Sequence, residues 1–289
     1  MLLVKLTSFI ICLCLLLFVS APAAAGEKIK VAVIEKLAQR YKLLLSENEG
    51  DVTNISEVTG ENSTRGLVQL VIIKQALYKG GLDVDFDFIL TPNSTRSNAL
   101  LRSGDAVISP HLGLIQSQPK ETFLSSVVIE SRTLTKGVYG LASNKALMEI
   151  KSIADLKPLT GVLQTSWSSD IKTLKKHDIT QIDLVNKYHN IFTRIAHRGL
   201  DYTLLELSYN KELIRYSNKI QLHPVPNIVI KLEGTRHFFI SKKHADGKRV
   251  FQALEKGLQI MKEEGTIQKY FKKIKVIRDD LEHFKVLNE

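Results

Sequence analysis

The chain has 289 residues and a formal net charge of +10, with lysine and arginine spread along its length and interleaved with acidic residues. It lacks the concentrated basic stripe and the recognisable module of a nucleic-acid-binding protein, so we expect no nucleic-acid partner. Its two cysteines, Cys12 and Cys14, both lie in an apolar N-terminal segment. The rest of the chain therefore excludes a disulfide framework, a thiol nucleophile and a cysteine-ligated metal site.

Residues 1–25 have the pattern of a cleaved secretory signal. One basic residue, Lys5, precedes a long apolar run, and small residues follow it. Ala23 and Ala25 occupy the small positions before a cut, so we predict cleavage after Ala25. The mature chain then has 264 residues (289 minus 25) and, without Lys5, a charge of +9. An uncleaved membrane anchor and a lipoprotein are the alternatives. The missing basic stop-transfer flank disfavours the first, and the positions of the cysteines disfavour the second.

The first half of the mature chain alternates between strand and helix patterns. The β-branched run 28–34 predicts a buried strand, and the apolar segment 67–78, stopped by two glycines, predicts a helix. A strand at 84–90, a helix at 97–102 and a strand at 106–109 follow. Alternation with short connections predicts a parallel sheet with right-handed crossovers. Two further strand-like runs lie at 122–130 and 135–142.

The same alternation begins again near residue 153. The predicted strands are 161–164, 184–185 and 200–207, and the predicted helices are 169–177, 188–197 and 211–216. An extended segment at 222–230, held by two prolines, and a β run at 234–241 come next. Two helices, 247–264 and 266–274, close the chain.

The stretch from Thr160 to Leu174 combines a short strand, a polar turn around Trp167 and the start of a helix. We expect the hydroxyl of Ser168 or Ser169 to cap that helix. A helix start also offers unpaired N–H donors and a partial positive charge, which suit an anion or a polar ligand. The alternative is an ordinary strand-to-helix turn with Trp167 packed in the core.

Four segments, in this order, carry a family resemblance. Arg96–Asp105 resembles the Arg-x4-Leu-x2-Gly region of the type II periplasmic solute-binding proteins, with the usual acidic step merged into its last residue. The segment 153–162 resembles the opening of that family's second lobe, and 189–201 is similar to its helix and Gly-x-Asp step. The segment 238–265 resembles the return to the first lobe and its closing helices. No single segment is specific, but their order and spacing together cover most of the mature chain.

The resemblance implies an α/β fold of two lobes, each a mainly parallel sheet flanked by helices, joined by two crossing strands. It places lobe 1 at 26–138 plus 233–289 and lobe 2 at 139–232. It also implies a hinge that closes on a small polar or anionic solute, and delivery of that solute to an ABC-type inner-membrane permease or to a sensor. We accordingly expect a monomeric periplasmic protein. The scattered histidines predict no metal site, and we expect no cofactor.

The candidate ligand-binding residues lie at strand ends, helix starts and lobe crossings. An arginine that clamps an α-carboxylate is expected of amino-acid-binding members, but its sequence context is absent here, so the ligand is not assigned as an amino acid. Arg65, Arg132 and Arg236 are candidates because they lie near turns or crossings. The complete set is Glu35, Thr64, Arg65, Ser109, Arg132, Trp167, Ser168, Ser169 and Arg236.

Two other functional classes stay open at the level of sequence. Enzymes exist on this type of fold, so a lyase or dehydratase is one alternative, although the chain has no nucleophile elbow and no phosphate-cradling loop. The other is an envelope interaction protein whose cleft binds no ligand. We predict a non-catalytic binding protein.

Overall fold

The computed structural model describes residues 27–58, 64–208 and 210–289. The predicted signal segment lies outside these ranges. No helix of the described residues is both long enough and apolar enough to cross a membrane.

Strands and helices alternate through most of the described chain up to Arg198, much as the sequence predicts, and five consecutive strands then precede the last two helices. The first part contains β1 (Lys28–Ile34), α1 (Glu35–Glu47), α2 (Arg65–Lys79), β2 (Asp85–Thr91), α3 (Ser94–Ser103) and β3 (Thr122–Leu124). The middle part contains β4 (Thr135–Gly140), α4 (Lys145–Met148), β5 (Gly161–Gln164), α5 (Ser168–Lys176), β6 (Ile182–Val185), α6 (Tyr188–Arg198), β7 (Thr203–Leu205), β8 (Arg215–Ser217), β9 (Ile220–Pro224) and β10 (Ile228–Lys231). The last part contains β11 (Phe239–Ser241), α7 (Gly247–Glu263), α8 (Thr266–Lys273) and β12 (Lys285–Val286). Two 3-10 turns cover Ile115–Ser117 and Ile153–Leu156.

The first lobe is built on a sheet in the order β2, β1, Ile108, β11, β3. β1 and β2 pair in parallel, and Ile108 bridges Val31 in parallel and Ile240 antiparallel. The predicted strand at 106–109 is thus present as a bridge. Alternate residues of β1 face opposite sides, with Val31 and Val33 in the main core and Ala32 in a smaller cluster under α3.

Helix α2 lies at the centre of the first lobe. Its residues from Leu67 to Leu77 are all buried, because the helix is covered on several sides. One cover is α7, which approaches so closely that a Cβ added to Gly257 would lie 1.7 Å from the carbonyl oxygen of Ala76. Only glycine permits this backbone contact.

The second lobe is built on a sheet in the order β6, β5, β7, β4, β9, β8. β5 and β6 are parallel, Gly161 bridges Tyr202 in parallel, and β4 runs antiparallel to β7 and β9. Successive residues of its strands again separate into two clusters. Val138 and Leu204 pack on one face, and Tyr139 and Leu205 pack on the other.

Two antiparallel strands join the lobes. β4 leads into the second lobe and β10 leads out of it, and they pair at Lys136 with Ile230. The C-terminal strand β12 pairs in parallel with β10 beside this junction, and Leu287 packs in a cluster of the second lobe. The exact lobe boundaries stay a prediction.

The prediction of a helix at 211–216 is wrong, because the structure has a turn there that leads into strand β8. Asn210 hydrogen-bonds through its side chain to both the N–H and the carbonyl of Ile214, and Leu213 has a φ of 58°. This turn ends in β8, whose partner is β9. Tertiary strand pairing overrides the local helical pattern there.

Candidate functional site

A cavity of about 680 Å³ lies between the two lobes and is lined from both. The first lobe contributes the starts of α2 and α3 and the segment from His111 to Leu114. The second contributes the Trp167 turn and the end of β7. The joining strand β4 adds Lys136, and the segment that follows β10 adds Arg236. This volume is typical of sites for small organic molecules.

Four helices begin at this cavity. The first residues of α2, α3, α5 and α6 are Arg65, Ser94, Ser168 and Tyr188, and all four line it. The first N–H groups of a helix have no partner within the helix and carry its positive dipole end. The cavity is therefore suited to polar or negatively charged groups.

A buried ion pair lies where the joining strand meets the second lobe. Lys136 on β4 donates to the carboxylate of Asp170 in the first turn of α5, and their side chains are only 10% and 5% exposed. Lys136 Nζ also lies 4.1 Å from the ring centroid of Trp167, a cation–π contact. Burial lowers the pKa of Lys136, while Asp170 favours its charged form.

Two arginines increase the positive charge of the cavity. Burial lowers the pKa of Arg236, and the positive charge of Arg65 lowers it further. Both arginines also disfavour the charged form of Lys136. There is thus electrostatic repulsion among three basic groups that come from separate segments, namely Arg65, Lys136 and Arg236. Arg65 forms an ion pair with Glu206, so this contact joins α2 to the end of β7 across the cavity.

Arg215 is held by the backbone of the second lobe. Its Nε donates to the carbonyl oxygen of Glu206 at 2.8 Å, and its Nη2 donates to that of Leu207 at 3.0 Å. These bonds fix the guanidinium beside the cavity without neutralising its charge.

Glu233 clamps the second joining strand to α5. Its carboxylate accepts from Lys176 at 3.0 Å and from Arg132 at 3.2 Å. Its backbone N–H donates to the hydroxyl of Thr173, and its carbonyl accepts from the hydroxyl of Ser169 at 2.7 Å. Lys176, followed by Arg132, lowers the pKa of the Glu233 carboxyl. The start of α5 is consequently tied to the hinge.

Five of the nine predicted site residues come together in the cavity lining, namely Arg65, Trp167, Ser168, Ser169 and Arg236. The predicted serine cap is wrong: Trp167 is the N-cap residue and no side chain caps α5. The Ser169 hydroxyl bonds to Glu233 instead. The ligand-binding role of these residues stays a prediction.

The other four predicted residues do not line the cavity. Glu35 is exposed and accepts a hydrogen bond from Gln39, and Thr64 caps α2 by accepting from the N–H of Leu67. Ser109 is buried and accepts from the N–H of His111. Arg132 pairs with Glu233 at the hinge.

Sequence reasoning did not single out Lys136, Asp170, Glu206 or Arg215. Lys136, Asp170 and Glu206 lie in segments that the sequence identifies as strand ends or helix starts, whereas Arg215 lies in the wrongly predicted helix 211–216. The sequence contains no local signal that shows which residue each of them pairs with, since partners such as Lys136 and Asp170 are 34 residues apart. The sequence also gives no signal for His111, whose pKa is lowered by burial and whose Nε2 has no hydrogen-bond partner among the described residues.

Comparison with known proteins bears on the fold. No protein-family model and no curated protein matches the chain. Among solved structures, it is similar to an ancestral arginine-binding protein bound to arginine, at 15% identity and a TM-score of 0.50, over 86% of this chain and 98% of that one.

It is likewise similar to the periplasmic VFT2 domain of BvgS from Bordetella pertussis, at 11% identity and a TM-score of 0.52, over 87% of this chain and 93% of that one. These likenesses span both lobes. They confirm that the chain has the two-lobed fold of the type II periplasmic solute-binding proteins.

Proposed function

We propose that this protein is a periplasmic solute-binding protein that captures a small polar solute in the cleft between its lobes without transforming it. The observation that carries the proposal is the interlobe cavity of about 680 Å³, which is lined by four helix starts, by the joining strand β4 and by the segment that follows β10. A site divided between two lobes can close around a ligand when the joining strands bend.

The proposal has further steps, which rest on the sequence and its family resemblance. In it, the predicted signal segment exports the protein to the periplasm, where the protein acts as a monomer. There it hands its ligand to an ABC-type permease or reports it to a sensor. Of the two similar structures, one is an arginine-binding protein bound to arginine and the other is a periplasmic domain, and both are compatible with this role.

Thermal-shift screening of the purified protein against amino acids, organic acids, polyamines and sugars tests the proposal. We expect at least one class to raise the melting temperature, and the ligand to be recovered chemically unchanged after incubation. Turnover of a stabilising compound would instead establish an enzyme. No stabilisation by any class would favour an interaction protein without a ligand.

A further inference from the structure

The charges that line the cavity are strongly unbalanced. Six basic and two acidic residues line it, and burial lowers the pKa of His111, which disfavours the charged form of the imidazole. Two of the six are compensated outside the lining, since Arg278 is paired with Asp280 and Lys275 also interacts with the charge of Asp280. Like charges gathered in a partly desolvated site destabilise one another unless a counter-charge joins them. The imbalance favours an anionic occupant.

Both acidic residues of the lining already form an ion pair with a basic side chain. Asp170 is buried against Lys136, and Glu206 pairs with Arg65. The backbone carbonyls of Glu206 and Leu207 are bonded to Arg215. A ligand ammonium would therefore meet excess positive charge and find no uncommitted carboxylate among the described lining residues. Desolvating a cation under those conditions is unfavourable.

Two guanidinium groups offer charge to a ligand on opposite sides of the cleft. Arg236 belongs to the segment that returns to the first lobe, and among the described residues its only hydrogen-bond partner is the carbonyl of Gly234. Arg215 belongs to the second lobe, where it is bonded to backbone carbonyls and also interacts with the hydroxyl of Tyr139, so none of these partners carries a negative charge. Guanidinium groups bind carboxylates through paired, charge-assisted hydrogen bonds.

The size and the apolar part of the lining favour an organic ligand. Leu112, Leu114, Leu205, Leu207 and Phe239 contribute apolar side chains to the same cavity. A volume of about 680 Å³ is also much larger than an inorganic ion requires, since a water molecule occupies roughly 30 Å³ in the liquid. A short carbon chain between two anionic ends matches both features.

We propose that the cleft selects small organic dicarboxylates that carry no ammonium group, with Arg236 and Arg215 each receiving one carboxylate. Glu206 is then a competitor of the ligand for positive charge, rather than an acceptor for it. This inference rests on the proposed solute-binding function and specifies its ligand class.

Matched ligand pairs test the inference. Malonate, succinate, glutarate and adipate are titrated into protein expressed from the full chain and purified, beside aminomalonate, aspartate, glutamate and 2-aminoadipate. Each pair differs by one ammonium group. We expect at least one dicarboxylate to bind at least tenfold more tightly than its amino counterpart.

Three variants locate the effect. Arg236→Gln is expected to lower the affinity for the tightest-binding dicarboxylate at least tenfold. The control Arg198→Gln removes the same charge at the exposed end of α6 and is expected to change this affinity less than twofold. Glu206→Gln is expected to raise the affinity for the same dicarboxylate by about threefold or more. Melting temperatures of the ligand-free variants show whether each one folds.

The inference is overturned if the amino counterparts bind as tightly or more tightly, or if Glu206→Gln weakens binding, because the carboxylate would then be an ammonium acceptor. It is also overturned if none of the eight compounds binds while a neutral or cationic solute does, a result that leaves the proposed solute-binding function intact. If no solute of any class binds, the proposed function and the inference both fail.

Discussion

Replacing Asp170 by asparagine keeps the shape of the side chain but removes the counter-charge of Lys136. The side chain of Lys136 is 10% exposed and that of Asp170 is 5% exposed, so Lys136 cannot turn to solvent without disturbing the joining strand β4. Breaking a buried pair by removing one partner typically costs about 3–5 kcal/mol. The positive charges of Arg65 and Arg236 further disfavour the charged form of Lys136.

An independent bound gives a similar figure. Neutralisation of Lys136 sets a ceiling on the penalty of the unpaired charge, because the folded variant can always release that proton. Discharging a lysine of ordinary pKa 10.5 at pH 7 costs about 4.8 kcal/mol, at 1.36 kcal/mol per unit. We therefore expect Asp170→Asn to lower the free energy of unfolding by about 3–5 kcal/mol at pH 7. The loss should shrink as the pH rises towards 10.5, because the unfolded lysine then releases its proton as well.

Urea unfolding followed by far-UV circular dichroism measures this loss. Glu130→Gln is a matched control, because Glu130 pairs with Lys262 at 3.2 Å while both side chains are 60% exposed. Exposed pairs contribute about 0–1 kcal/mol. A cost of Asp170→Asn within 1 kcal/mol of the control would refute the reasoning that the buried pair stabilises the hinge.

Two further predictions concern the hinge and the first lobe. Lys176 and Arg132 hold the pKa of Glu233 below its ordinary value of 4.5, so its ionised form stabilises the fold above that pH and the contribution is lost as the pH falls through the lowered pKa. The stability difference between the wild type and Glu233→Gln, from urea unfolding at several pH values, should be largest above pH 4.5 and decline below it; a constant difference would contradict this. Gly257→Ala should destabilise the protein by about 1–3 kcal/mol in the same assay despite alanine's higher helix propensity, because its Cβ would clash with the carbonyl of Ala76. Exposed Gln259→Ala on the same helix is its control, and equal stability of the two variants would argue against the close contact.

The sequence predicts the fold well where the pattern is local. The β-branched run 28–34 and the apolar segment 67–78 correspond closely to β1 and α2, since extensive burial leaves a nearly continuous apolar run of characteristic length. The segment 211–216 fails because its conformation depends on pairing with Gln221 and Leu222, which no local pattern records.

The site is only partly readable from the sequence for the same reason. Trp167, Ser168 and Ser169 are marked by a strand-to-helix turn, and Arg236 by a crossing, so their place in the cavity could be predicted. The ion pairs that give the cavity its charge distribution join residues far apart in the chain, such as Arg65 with Glu206. Only the folded arrangement shows which acids are already neutralised.

Trp167 is the single tryptophan of the chain and lines the cavity, so its fluorescence reports directly on the cleft. The most direct test of interlobe binding is a fluorescence titration of the purified protein with the compounds that raise its melting temperature. We expect a saturable change of Trp167 emission at one ligand per chain. A stabilising ligand that binds stoichiometrically and leaves this emission unchanged would contradict the claim that the interlobe cavity is the binding site.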